Sequence, residues 1–232
     1  MPSVLITGSS RGLGFEFAKQ YAGAGWRVYA TCRNPEKAEA LQALAGGAEH
    51  DVSLHPLDVS DLHQIDSLAT SLEGTAIDVL INNAGLSGGG FGGGLAEIDY
   101  AMWEQVLRVN TMAIARMATA FLPHLELGEQ KKLVTISSQL GSITRNTSGG
   151  LYIYRSSKAA ANAVTRSLAM DLKDKHVIAV SLHPGWVQTD MGGPGADITP
   201  DVSITGMRKV IDKLTLKKSG SFIGYDGESI EW

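Results

Sequence analysis

The chain has 232 residues, 44% of them hydrophobic, enough to bury a sizeable core in a single domain spanning 1–232. A formal net charge of −4, with no run of Lys or Arg, argues against nucleic acid or an anionic membrane surface as partner and favours small-molecule chemistry. The lone Cys32 cannot form an internal disulfide, and no apolar run approaches the roughly 18 residues of a membrane span. Met1-Pro2-Ser3 leads straight into a strand-like run rather than a signal peptide, so the expectation is a soluble, cytoplasmic protein.

Short β-branched or aliphatic runs recur along the chain at Val4–Thr7, Arg27–Thr31, Ser53–Leu57, Val79–Asn82, Leu133–Ser137, Val177–Leu182 and Ser221–Tyr225. Helix-length segments separate most of them. Leu13, Phe17 and Tyr21 repeat every four residues after the first run, and Val164, Leu168 and Leu172 do so late in the chain, as helix faces packed on a sheet would. Strands that are apolar on both faces and separated by helices predict an α/β fold: an open, doubly wound, Rossmann-type parallel sheet of about seven strands with helices on both sides. The glycine-rich stretch Gly88–Gly94 lacks a strand-to-helix setting and reads as a flexible loop. Met191–Ser203, rich in Gly, Pro and Asp, is placed where a substrate lid could sit.

Directly after the first run comes Thr7-Gly8-Ser9-Ser10-Arg11-Gly12-Leu13-Gly14, then a helical pattern. Glycines there permit a tight turn and close approach of backbone to a pyrophosphate, and the helix start that follows favours an anion. The run after the second strand carries Arg33 and no acidic residue, and Arg11 offers a second cation. A carboxylate at that point would accept from a free ribose 2′-hydroxyl, whereas guanidinium groups suit a 2′-phosphate, so NADP(H) is expected over NAD(H). Cys32 reads as a small packed residue. Further on, Tyr154 and Lys158 stand four apart on one helix face, where an ammonium can stabilise a phenolate and make the tyrosine a usable acid and base.

The Gly-x-x-x-Gly-x-Gly turn, Asn82-Asn83-Ala84-Gly85, Tyr154-x-x-x-Lys158 and Pro184-Gly185, in this order, resemble the short-chain dehydrogenase/reductase family over essentially the whole chain. The resemblance implies that Asp58, in Leu57-Asp58-Val59, contacts adenine and that Asn83, Ala84 and Gly85 border the cofactor. It also implies that Val187 and Thr189, following Pro184-Gly185-Trp186, fix the carboxamide. By the same resemblance Ser138, followed by Gln139-Leu140-Gly141, hydrogen-bonds the substrate oxygen in preference to the adjacent Ser137. Asn110, in Val109-Asn110-Thr111, holds a water that links the lysine to solvent. Trp186 reads either way, at the site or in the core. The implied reaction moves hydride between the nicotinamide and a carbonyl carbon while Tyr154 protonates the oxygen, Ser138 orients it and Lys158 binds the ribose.

Between Ser138 and Tyr154 the chain is a few residues longer than is usual in the family, with the extra length placed at Arg145–Gly150, beside the substrate. That loop, together with Leu182-His183-Pro184-Gly185-Trp186-Val187 and Gly224-Tyr225-Asp226-Gly227, looks like the sniffer-type carbonyl reductases and the related C-factor proteins, which implies quinones, diketones or aldehydes as substrates. Two other readings stay open: a cofactor-binding signalling protein of the C-factor type, and a 3-oxoacyl-carrier reductase, for which Arg145 and Arg155 make only a sparse basic patch. The six histidines form no metal-ligand pattern, so no catalytic metal is expected. A homodimer or homotetramer is implied by the family alone.

Overall fold

The computed structural model describes residues 1–89 and 95–232. Seven parallel strands form one sheet: β1 (Ser3–Ile6), β2 (Arg27–Cys32), β3 (Val52–Pro56), β4 (Val79–Asn82), β5 (Lys132–Ile136), β6 (Ile178–His183) and β7 (Phe222–Gly224). Their order is β3-β2-β1-β4-β5-β6-β7, the doubly wound arrangement expected of the sequence. Each observed strand lies within one residue or so of its expected position, with β1, β3 and β5 starting one residue earlier and β6 and β7 one later. The helices are α1 (Gly12–Gly23), α2 (Glu39–Ala45), α3 (Leu62–Ser71), α4 (Tyr100–Leu107), α5 (Ala113–Leu127), α6 (Tyr152–Asp171) and α7 (Pro200–Asp212).

Period-two alternation divides each central strand between two cores. Val4, Ile6, Val79, Ile81, Val134 and Val180 pack against Phe17 and Tyr21 of α1 and Ile204, Met207 and Ile211 of α7. Leu5, Leu80, Leu133 and Ala179 face the opposite side, against Ile65 and Leu68 of α3 and Met117 and Phe121 of α5. Burial on both faces is why these strands read as continuous apolar runs.

Two expectations need correction. Leu172 and the partly buried Leu168 do pack in the core as expected, but Val164 does not, and the fully buried residues on that side of α6 are the small Ala161, Thr165 and Ala169. Small side chains let α6 lie close to the sheet, and the one polar member is satisfied, Thr165 Oγ1 donating to Thr135 Oγ1 at 2.9 Å. The proposed lid, Met191–Ser203, ends earlier than expected, because Pro200 to Ser203 form the first turn of α7. Proline is well suited to that position, where its missing N–H costs nothing. Of the glycine stretch Gly88–Gly94, residues 90–94 lie outside the described residues.

Candidate active site

The strand order reverses between β1 and β4, and a crevice opens at their carboxyl ends. The Thr7 hydroxyl accepts from the backbone N–H groups of Asn83 and Ala84, both at 3.0 Å, and the Asn83 amide donates to the carbonyl oxygens of Thr7 at 2.9 Å and Gly8 at 3.1 Å. These bonds lock the glycine turn to the end of β4. Gly14 has no room for a side chain: a Cβ there would stand 2.1 Å from the Gly8 oxygen and 2.6 Å from Asn83 Nδ2. No side chain caps the start of α1, so its first N–H groups stay open to an anion.

One cavity of about 650 Å³ runs from this turn across the sheet's carboxyl edge. It is lined by every residue nominated from sequence except Asn110, from Arg11 and Arg33 to Ser138, Tyr154, Lys158 and Thr189. Cys32 is buried in its wall, and burial pushes its thiol up in pKa, as befits a packed residue. Asp58 Oδ1 accepts from the N–H and hydroxyl of Ser60, while the cap of α3 is Asp61. Arg11 is less free than its sequence setting implied, since its Nε stands 3.4 Å from Asp190 Oδ2 across the cavity mouth.

The end of the cavity that holds the candidate catalytic residues is built by α6 against β5. Tyr154 and Lys158 share a helix face, and Lys158 Nζ lies 5.7 Å from the centre of the Tyr154 ring and donates to the Ile136 carbonyl at 2.9 Å. Gly141 permits the fit: a Cβ there would come within 2.8 Å of the Lys158 backbone, so the turn carrying Ser138 packs directly on the helix. The Ser137 hydroxyl turns to the Lys158 carbonyl, leaving Ser138 beside the phenol. Burial pushes Tyr154 up to about 12, the Ser138 hydrogen bond opposing it, and burial brings Lys158 down to about 8.

Asn110 sits in a π-helical turn, Arg108–Met112, between α4 and α5. Its Oδ1 accepts from Leu86 N at 2.8 Å, and its Nδ2 donates to the Leu86 carbonyl and to Ser157 Oγ. It thus ties the strand β4 exit to α6 from behind the cavity. The extra loop is fastened by Arg155, whose Nη2 donates to Ser148 Oγ at 2.9 Å and Nη1 to the Leu140 carbonyl at 3.5 Å. Leu151, with φ at 51°, adopts a left-handed conformation and lines the cavity. Trp186 is not core: half exposed at the mouth, it donates from Nε1 to the Gly192 carbonyl at 2.8 Å. Sequence reasoning missed Leu86 and Leu151 and gave Leu140, Met191 and His183 no role of their own within the segments that contain them; Leu86, Leu140, Leu151 and Met191 make the candidate substrate end apolar.

Residues 2–197 match the family model for short chain dehydrogenase. The chain belongs to the short-chain dehydrogenase family. It is 42% identical over 166 residues to the C-signal of Myxococcus xanthus, covering 72% of this chain and 99% of that protein. Among solved structures, the carbonyl reductase Sniffer of D. melanogaster superposes with a TM-score of 0.92 at 34% identity over the whole of both chains. NADPH-bound carbonyl reductase from chicken fatty liver does so with a TM-score of 0.92 at 35% identity, over 100% of this chain and 99% of that one. Among the described residues, no helix is long and apolar enough to cross a membrane.

Proposed function

We propose that the chain, acting as one unit, is an NADP(H)-dependent carbonyl reductase that reversibly converts a small ketone, aldehyde, diketone or quinone to its alcohol. The observation that carries this reading is the meeting of Ser138, Tyr154 and Lys158 in the same cavity as an uncapped, glycine-lined helix start with two arginines and no acid at the end of β2. The cavity fits the cofactor by its size and by the bare Gly14. Solved carbonyl reductases with NADPH or NADP bound support the same cofactor.

Arg11 and Arg33 would hold the 2′-phosphate, the α1 start and Gly8 to Gly14 the pyrophosphate, Asp58 and Val59 the adenine, and Asn83 to Gly85 the adjoining wall. Pro184, Gly185, Val187 and Thr189 would seat the carboxamide. When bound, NADPH supplies the hydride. Ser138 donates a hydrogen bond to the substrate oxygen, and Tyr154 gives that oxygen its phenolic proton. The Lys158 ammonium draws the phenol's pKa down and binds the ribose hydroxyls, and Asn110 holds Leu86 and Ser157 in place and completes the proton path to solvent. Leu86, Leu140, Leu151, Trp186 and Met191 give the substrate end an apolar wall suited to a compact ring or chain rather than a protein carrier. Arg155, engaged by the loop, adds no basic patch for one. Association into a homodimer or homotetramer belongs to the same reading, and light scattering checks it.

The test is loss of nicotinamide absorbance with NADPH and, separately, NADH across quinones, diketones, aldehydes and ketones, with Tyr154→Phe beside the wild type. Turnover favouring NADPH, reduced on the order of 10²- to 10⁴-fold by Tyr154→Phe at unchanged NADPH affinity, is expected. Silence across the panel despite tight NADPH binding would move the conclusion to a cofactor-binding signalling protein, which the C-signal likeness favours.

A further inference from the structure

Beside the catalytic cavity lies a second one of about 230 Å³, which shares Gln139, His183, Gly185, Trp186 and Asp197 with it. Its outer wall comes from Arg145 in the extra loop and from Tyr225, Asp226, Glu228, Ser229 and Ile230 after β7, two segments remote in sequence. The two compartments differ in chemistry. Leu86, Leu140, Leu151 and Met191 line only the first, whereas Arg145, Asp226 and Glu228 line only the second.

His183, at the end of β6, stands where the two meet. Its Nδ1 is shielded from solvent and has no hydrogen-bond partner among the described residues. Burial brings its pKa down to about 4, Asp226 opposing and Arg145 adding, so the imidazole is neutral at physiological pH and one of its ring nitrogens is an acceptor. Asp226 and Arg145 stand near enough to bias its charge in opposite senses, and Asp197 and Glu228 also line the compartment. Asp226 Oδ1 accepts from Glu228 N at 3.0 Å; the side chains of Asp197 and Glu228 make no hydrogen bond or ion pair among the described residues. Three acidic residues thus line the compartment against one basic residue. A protonated amine, with three donors and no acceptor, complements it; a carboxylate does not.

We propose that this compartment is a second substrate subsite that receives an ammonium group, so that preferred substrates pair an apolar carbonyl-bearing ring at Tyr154 with a basic arm passing Gln139 and His183. The inference rests on the reductase reading and narrows its substrate class. The arm makes charge-assisted hydrogen bonds to the carboxylates of Asp226 and Glu228. Because both are exposed, the gain in affinity is moderate and falls with salt.

The probes are three aryl ketones with the same ring and carbonyl and a short arm ending in ammonium, methyl or carboxylate. With NADPH at pH 7 and low salt, kcat/KM for the ammonium ketone is expected to exceed that for the methyl ketone by about fivefold, the upper size of an exposed charge pair. The carboxylate ketone is expected to fall below both. In Asp226→Asn/Glu228→Gln the ammonium-to-methyl ratio should drop toward one. Asn keeps the oxygen that caps Glu228 N, and Glu228→Gln alone serves if the double variant fails to fold. A wild-type ratio near one, or a ratio indifferent to the substitutions, overturns the subsite. If none of the three ketones turns over, the reductase reading has failed instead. Calorimetry then decides the subsite on its own: tighter binding of the ammonium ketone, lost in the variant, upholds it, and equal binding of the ammonium and methyl ketones refutes it.

Discussion

Replacing Lys158 by Met keeps the length of the side chain and removes its charge. In the structure Lys158 Nζ lies 5.7 Å from the Tyr154 ring centre. At an effective dielectric of about 20, a unit charge within about 6 Å of a phenolate is worth on the order of 3 kcal/mol, or about two pKa units. Burial pushes the Tyr154 phenol up to about 12, the Ser138 hydrogen bond opposing it, and attraction by the Lys158 ammonium would work against burial in the same sense as Ser138. The variant is expected to move the alkaline-rising limb of NADP⁺-dependent alcohol oxidation upward by about two pH units and to lower its rate at pH 7 by about 100-fold. The assay is a pH profile of alcohol oxidation, preceded by circular dichroism and NADPH binding, since the Ile136 carbonyl loses its partner and stability falls by about 1–3 kcal/mol. A limb that moves by less than half a unit, with the loss confined to KM, would show that Lys158 only holds the ribose and does not tune the tyrosine.

Gly14→Ala should weaken NADPH binding at least tenfold by fluorescence, because its Cβ would overlap the Gly8 carbonyl; wild-type affinity would mean that the turn does not carry the pyrophosphate. Arg33→Asp should shift the NADPH-to-NADH preference toward NADH, and an unchanged ratio would misplace the 2′-phosphate. Asp190→Asn frees Arg11 from an exposed pair worth at most about 1 kcal/mol, so NADPH binding is expected to tighten by up to about fivefold in calorimetry; weaker binding would contradict a competition for Arg11. The pKa of His183 is depressed from its ordinary 6.5 to about 4 by burial, so the unfolded chain takes up this proton first. The associated stability is fully present above pH 6.5 and erodes as pH falls toward 4, by up to about 3 kcal/mol. Urea unfolding of His183→Gln should show a flatter dependence over that window, and an identical slope in both proteins would refute it.

The fold was legible because Val4, Leu5 and Ile6 are all apolar, as only a strand covered on both sides needs to be. Strand ends were less so, since Thr7 and Ser137 look strand-like but turn their hydroxyls to neighbouring backbone at the site. On α6 the apolar period was right at Leu168 and Leu172 and misled at Val164, because close approach to the sheet selects Ala161, Thr165 and Ala169 for smallness. The start of α7 carried a readable signal in Thr199-Pro200-Asp201, masked by the Pro and Asp content of the stretch before it. The juxtaposition of Tyr154 with Lys158 and the glycine turn were legible because their spacing is local: a helical four-step and a strand-to-helix turn. The polar compartment was not, since Arg145, His183 and Glu228 meet only through tertiary structure.

The central claim, hydride transfer to a carbonyl within this cavity, is tested most directly with NADPH deuterated at both C4 positions. Mass spectrometry of the product should show one deuterium on the carbinol carbon, and the labelled product should fall on the order of 10²- to 10⁴-fold in rate with Tyr154→Phe. An alcohol formed without the label, or formed as fast by Tyr154→Phe, would contradict the account.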